Sequence, residues 1–134
     1  MQNTKLAIET IVQGDFKEII ERTTAALAEN GFGVLTTIDT QATLKKKLGV
    51  DTPPRVILGA CNPPLAHQAL EADPSVSLLM PCNVVVTQLD NGVKVSAMNP
   101  ALMGEFLDNE QIKSVAQGAV AKLETAIKKV ETGA

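Results

Sequence analysis

From Asp108 to the C-terminus the chain writes out one face of a long helix. Ile112, Val115, Ala119, Leu123, Ile127 and Val130 recur three or four residues apart, which places them on a single stripe. Asp108 is the expected cap, Gln111 completes a capping box, and Leu107 is placed to staple onto Ile112. The spacing predicts a helix of about 22 residues, roughly 33 Å long. Such a stripe must be buried against another layer, and the residues before it read as strands. Asn83 to Leu89 and Val93 to Met98 are apolar runs joined through Asp90-Asn91-Gly92, a strong hairpin signal. A chain that ends this way is built as a sheet with a helix laid across it.

The earlier residues alternate strand and helix. Leu6 to Val12 is apolar and β-branched, and reads as the first strand. Asp15 then caps a helix carrying Phe16, Ile19, Ile20, Thr23 and Leu27 at helical spacing, stopped by Asn30 and Gly31. Phe32 to Ile38 is the second strand. Asp39 or Thr40 caps a short helix with Leu44 and Leu48 on one side, and Lys45, Lys46 and Lys47 turned to water. Arg55 to Ala60 is the third strand, and Asn62 caps a helix that starts with Pro63 at the position where no N–H is needed. Val76 to Met80 reads as strand-like up to Pro81, and Ala101 to Phe106 as one helical turn. The predicted order is β-α-β-α-β-α-β-β-α. It implies an α+β fold, with one mixed sheet of about five strands and helices packed mainly on one face. With 134 residues, one domain spanning 1–134 is expected.

Composition narrows the partners. The net charge is −3 and the basic residues are scattered, against the concentrated basic face of a phosphate-backbone binder. Three Phe with no Trp or Tyr leave nothing on which bases can stack. No nucleic-acid partner is therefore expected. No run approaches the roughly 20 apolar residues of a membrane span, and Met1 to Lys5 has no signal-peptide layout, so no membrane partner is expected either. A cytoplasmic protein with reduced thiols follows as the expectation.

Two Cys-Asn pairs carry the chemistry, Cys61-Asn62 within GACNPP and Cys82-Asn83 within MPCNVVV. Cys61 ends a strand just before a helix start, where the positive dipole end favours a thiolate or a bound anion. Cys82 follows a proline at a strand interruption. The ordinary reading stands beside this one: free Cys is a common small apolar filler, and Asn next to Pro is a common cap or turn former. His67, the only histidine, lies on the helix that Asn62 caps. Two Cys and one His fall short of a tetrahedral metal set, so neither a metal nor a cofactor is expected. The candidate ligand-binding residues are Cys61, Asn62, His67, Cys82 and Asn83, and Cys61 and Cys82 are the candidates for any catalysis.

The segments ILGACNPPLAHQAL and LMPCNVVV resemble those of a widespread prokaryotic family, the domain of unknown function 302. The resemblance runs from the first helix to the hairpin and extends in position to the last helix. It carries over Gly59, Cys61, Asn62, Pro63, Pro81, Cys82 and Asn83, with His67 beside them. It implies a compact α+β domain whose members tend to pair as homodimers, and no reaction, substrate or cofactor. Three functions follow as expectations. The first is a homodimeric module binding a small molecule or anion near the Cys-Asn pairs. The second is a thiol redox or sulfur-transfer protein using Cys61 and Cys82, and the third is a partner-binding module without catalysis.

Overall fold

The computed structural model describes residues 1–133. Its elements run β1 (Gln2–Asn3), β2 (Ala7–Val12), α1 (Phe16–Glu29), β3 (Gly33–Asp39), α2 (Thr40–Leu48), β4 (Arg55–Cys61), α3 (Pro63–Ala72), a 3-10 helix (Pro74–Leu79), β5 (Cys82–Leu89), β6 (Gly92–Met98), α4 (Leu102–Phe106) and α5 (Glu110–Thr132). The six strands form one sheet in the order β1-β2-β6-β5-β4-β3. The α+β class is as expected, with one strand more than the five foreseen. The extra strand is the two-residue β1, too short to leave a pattern in sequence; Asn3 pairs with Ile8 at the sheet edge. The expected mixed sheet is instead antiparallel at every pairing. The cause is α2, which buries none of its residues. It tops the β3–β4 connection and does not cross the sheet, so β4 returns antiparallel beside β3.

Alternation along the strands decides which face is covered. Ile8 and Val12 of β2, Val93, Val95 and Ala97 of β6, Val84 and Val86 of β5, and Leu58 and Ala60 of β4 are buried in one core with α1 and α5. Ile19, Ala26 and Leu27 of α1 and Ala119, Leu123, Ala126, Ile127 and Val130 of α5 close it from above. A smaller core joins Ala69 of α3, Val76, Met103 of α4, and Ile112, Val115 and Ala116 of α5.

Caps explain where the helices start. Asp15 accepts from the Glu18 N–H at 3.2 Å and Asp39 from the Ala42 N–H at 2.9 Å, both as expected. At α5 the cap is Asn109 in place of Asp108: its Oδ1 takes the N–H groups of Gln111 and Ile112 at 2.9 and 3.2 Å. Gln111 therefore sits one position too early to close a capping box. Asp108 stays in solvent and reaches Lys113 at 3.6 Å, while Leu107 packs on the core that holds Ile112. The strand expected at Val76 to Met80 is also corrected. Asp73 caps this segment through the Ser75 N–H and Pro74 occupies its first turn, so it winds as a 3-10 helix. Val76 is buried and Leu78 is 87% exposed, a burial pattern set by the helical turn.

Candidate functional site

The β4–β5 ladder brings the two Cys-Asn pairs to one end of the sheet. Ala60 lies opposite Cys82 and Gly59 opposite Asn83, while Cys61 lies opposite Gly33 of β3. Cys61 is thus one residue beyond the direct partner of Cys82 on a neighbouring strand. Both cysteines are free and half-buried. They line a cleft of about 370 Å³ whose walls are α3, through Leu65, Ala66 and Ala69, and the α4–α5 side, through Met103, Val115 and Ala119. Met80 and Pro81 form part of its lip, joined by a cis peptide bond. A second hollow of about 450 Å³ between α4 and α5 is lined by Lys113, Gln117 and Glu124, and by none of the five expected site residues.

Asn62 is 7% exposed and has two tasks. Its Oδ1 accepts the Leu65 N–H at 3.3 Å and its backbone carbonyl accepts the Ala66 N–H at 2.8 Å. Pro63 and Pro64 have no N–H. The first turn of α3, from Pro63 to Ala66, therefore offers no free backbone N–H to an anion, and those were the groups on which that reading rested. The other end of the amide remains: Nδ2 makes no hydrogen bond to a described residue, and Asn62 lines the cleft. Gly31, at φ +85°, makes room for this amide, since a Cβ there would lie 2.8 Å from Nδ2. Gly59 is explained the same way. A Cβ on it would lie 2.2 Å from Thr36 Oγ1 and 3.1 Å from Pro81 Cγ, both on residues of the cleft.

The electrostatics of Cys82 are not those of a nucleophile. Burial, and then the Coulombic effect of the neighbouring Cys61, push the Cys82 thiol up to about 11. Cys82 is therefore a neutral thiol at physiological pH.

The structure brings Cys61, Asn62 and Cys82 together and leaves the other two candidates outside. Asn83 alternates to the opposite face of β5 and is exposed. His67 points away from the cleft into a hollow with Gln68 and Gln111, its Nε2 3.3 Å from Glu71 Oε1. Met80, Met103 and the apolar walls were missed in the sequence. Met80 stands two residues before Cys82 and was legible as a neighbour, whereas Met103 arrives only through the packing of α4.

The profile of the family described as Domain of unknown function DUF302 matches residues 8–130. The chain belongs to the DUF302 family. The fold agrees: a crystal structure of an uncharacterized conserved DUF302 protein from Bacillus stearothermophilus superposes with a TM-score of 0.87. It is 28% identical, over 93% of this chain and 98% of that one. No curated protein matches the chain. The DUF302 segments quoted from the sequence coincide with the cleft, since ILGACNPPLAHQAL supplies its β4 end and α3 wall, and LMPCNVVV its lip. Among the described residues of this DUF302 chain no helix is long and apolar enough to cross a membrane, and no three His, Cys, Asp or Glu side chains cluster as metal ligands.

Proposed function

We propose that this DUF302 chain is a binding module for a small, largely apolar molecule, held in the cleft with a hydrogen-bond acceptor turned to Asn62. The cleft carries the reading: about 370 Å³, apolar walls, and one buried amide with a free donor. Small-molecule sites are concave, mostly apolar and oriented by a few such polar groups. The amide sets the required chemistry, because Nδ2 donates and the ligand must accept. A carbonyl or ether oxygen on an apolar body fits better than an anion, since no Lys, Arg or His is among the residues that line the cleft.

Ala66→Phe tests the reading by filling the cleft from α3. Ligands found by thermal shift on the wild type, present at about 100 times Kd, should stabilise it by about 2.7 kcal/mol. The same ligands should leave Ala66→Phe unshifted while its own melting stays close to that of the wild type. Equal shifts in both proteins would place the ligand elsewhere.

The thiol-transfer reading has the weaker support, because Cys82 holds its proton at neutral pH. A homodimer and a cytoplasmic location with reduced thiols remain part of the proposal. The support for a second copy is the sheet face turned away from the helices. There Ile38, Ile57 and Val85 stand side by side across three strands, with Ile38 48% exposed. Light scattering should return twice the chain mass of 14.1 kDa, and a monomer at all concentrations would remove the homodimer.

A further inference from the structure

We propose that Cys82 is a second anchor of the cleft, its S–H and the Asn62 amide donating to one carbonyl oxygen, and that the ligand is a neutral aliphatic ketone or ester. The inference rests on the small-molecule reading and deepens it. The strand ladder puts the two groups on one face of the sheet. Ala60 is the direct partner of Cys82, and Ala60 and Val84, two residues beyond Cys82, are buried in the core under α1 and α5. Cys82 therefore belongs to the helix-covered face. Asn62 follows Ala60 by two residues on extended backbone, φ −104° and ψ 101°, and so keeps that face. Asn62 and Cys82 are thus diagonal neighbours across adjacent chain segments, about 7 Å apart, a gap that one oxygen between two donors spans. Cys61 belongs to the opposite face and is no part of this pair.

Neither donor is used by the protein itself. Asn62 Nδ2 and Cys82 Sγ make no hydrogen bond to a described residue, while both residues line the cleft. Asn62 is 7% exposed, and a buried donor is ordinarily satisfied, here by what enters the cleft. A thiol that donates has to keep its hydrogen, and burial on this wall holds Cys82 protonated far above neutral pH. Donor count then chooses the head group. A carbonyl oxygen carries two lone pairs in one plane, one for the amide N–H and one for the S–H. A carboxylate would bring its charge into a lining without Lys, Arg or His. Leu65, Ala69, Met103 and Val115 take the aliphatic part.

Methyl hexyl ketone is the probe, read on the intact chain through the isotope-edited infrared difference spectrum of its carbonyl band. Each donor lowers the carbonyl stretch, so the bound band should lie below that of the ketone in hexane. Cys82→Ala should move the band part of the way back and weaken binding about 2- to 10-fold. Cys82→Ser, whose O–H donates in place of the S–H, should restore the low band. Asn62→Asp keeps an oxygen to cap α3 and loses the donor, so it should weaken binding by at least as much as Cys82→Ala. Far-UV circular dichroism shows that each variant is folded. A band that is the same in wild type and Cys82→Ala overturns the proposal and leaves the small-molecule reading standing. So does a band lost in Cys82→Ala that Cys82→Ser does not restore, since the sulfur then acts through packing. A ketone that shows no saturable binding overturns both.

Discussion

Iodoacetamide at pH 8 is expected to label Cys82 of the folded chain at about one-hundredth of the rate of an ordinary thiol. The thiolate is the reactive form, and burial together with the Coulombic effect of Cys61 pushes this thiol from 9.0 to about 11. Denaturant should restore the ordinary rate at once. The same displacement makes stability depend on pH, with a definite sign. Below pH 9 the thiol keeps its proton in the folded and the unfolded chain and has no net effect. As pH rises from 9 towards 11 only the unfolded thiol ionises, so the folded state loses stability, by roughly 2 to 3 kcal/mol at most. Lys113, partly exposed, is also raised, by its hydrogen bond and charge contact with Glu110 and by the charge of Asp108, so alkaline unfolding does not report Cys82 alone. The measurement is therefore the difference between wild type and Cys82→Ala in urea unfolding at pH 8 and pH 11. The gap should change in favour of Cys82→Ala as pH rises, and a gap independent of pH would contradict the burial of this thiol.

Leu123→Ala should be the most damaging change on α5, at about 3 kcal/mol in urea unfolding. Leu123 is fully buried between the sheet and α1, in the core that includes Val95 and Ile19. Its removal leaves a cavity that rigid strands on one side and a helix on the other cannot close. Lys122, one residue earlier, is exposed, and Lys122→Ala should cost less than about 0.5 kcal/mol. The contrast tests whether the stripe read from sequence is the surface that holds α5 on the sheet. Equal costs at the two positions would show that it is not.

Elements with a strong period and a local stop were legible from the residues alone. The Asp15 cap, the Ile19–Leu27 stripe, the Asp90-Asn91 turn and the α5 stripe each carry their own instructions. What escaped depended on competition or on distant contacts. Asp108 and Asn109 are both good caps, and Asn109 also has a distant contact, its Nδ2 donating to the Ala72 carbonyl of α3 at 3.2 Å. VSLLM has strand composition, yet Asp73 and Pro74 start a helical turn before it. The site divides in the same way. Cys61, Asn62 and Cys82 come to one end of the sheet and line one cleft because β4 and β5 pair, and sequence marked them as unusual without showing the pairing. His67 was tied to the site by nearness along α3, but a position five residues past Asn62 turns to another face of the helix. Asn83 fell to the alternation of β5. The apolar walls come from α4 and α5, far along the chain, and no local pattern announces them.

Methyl-resolved NMR on protein carrying labelled Met, Leu and Ala methyl groups tests most directly whether the cleft is a binding site. Neutral carbonyl- and ether-bearing molecules of graded apolar size are the probes. Binding in the cleft predicts saturable shifts at Met80, Met103, Leu65 and Ala69, together with the Asn62 side-chain amide, and silence at Leu123 and Leu48. No saturable shift at these groups, or shifts confined to the hollow beside Lys113, would contradict it.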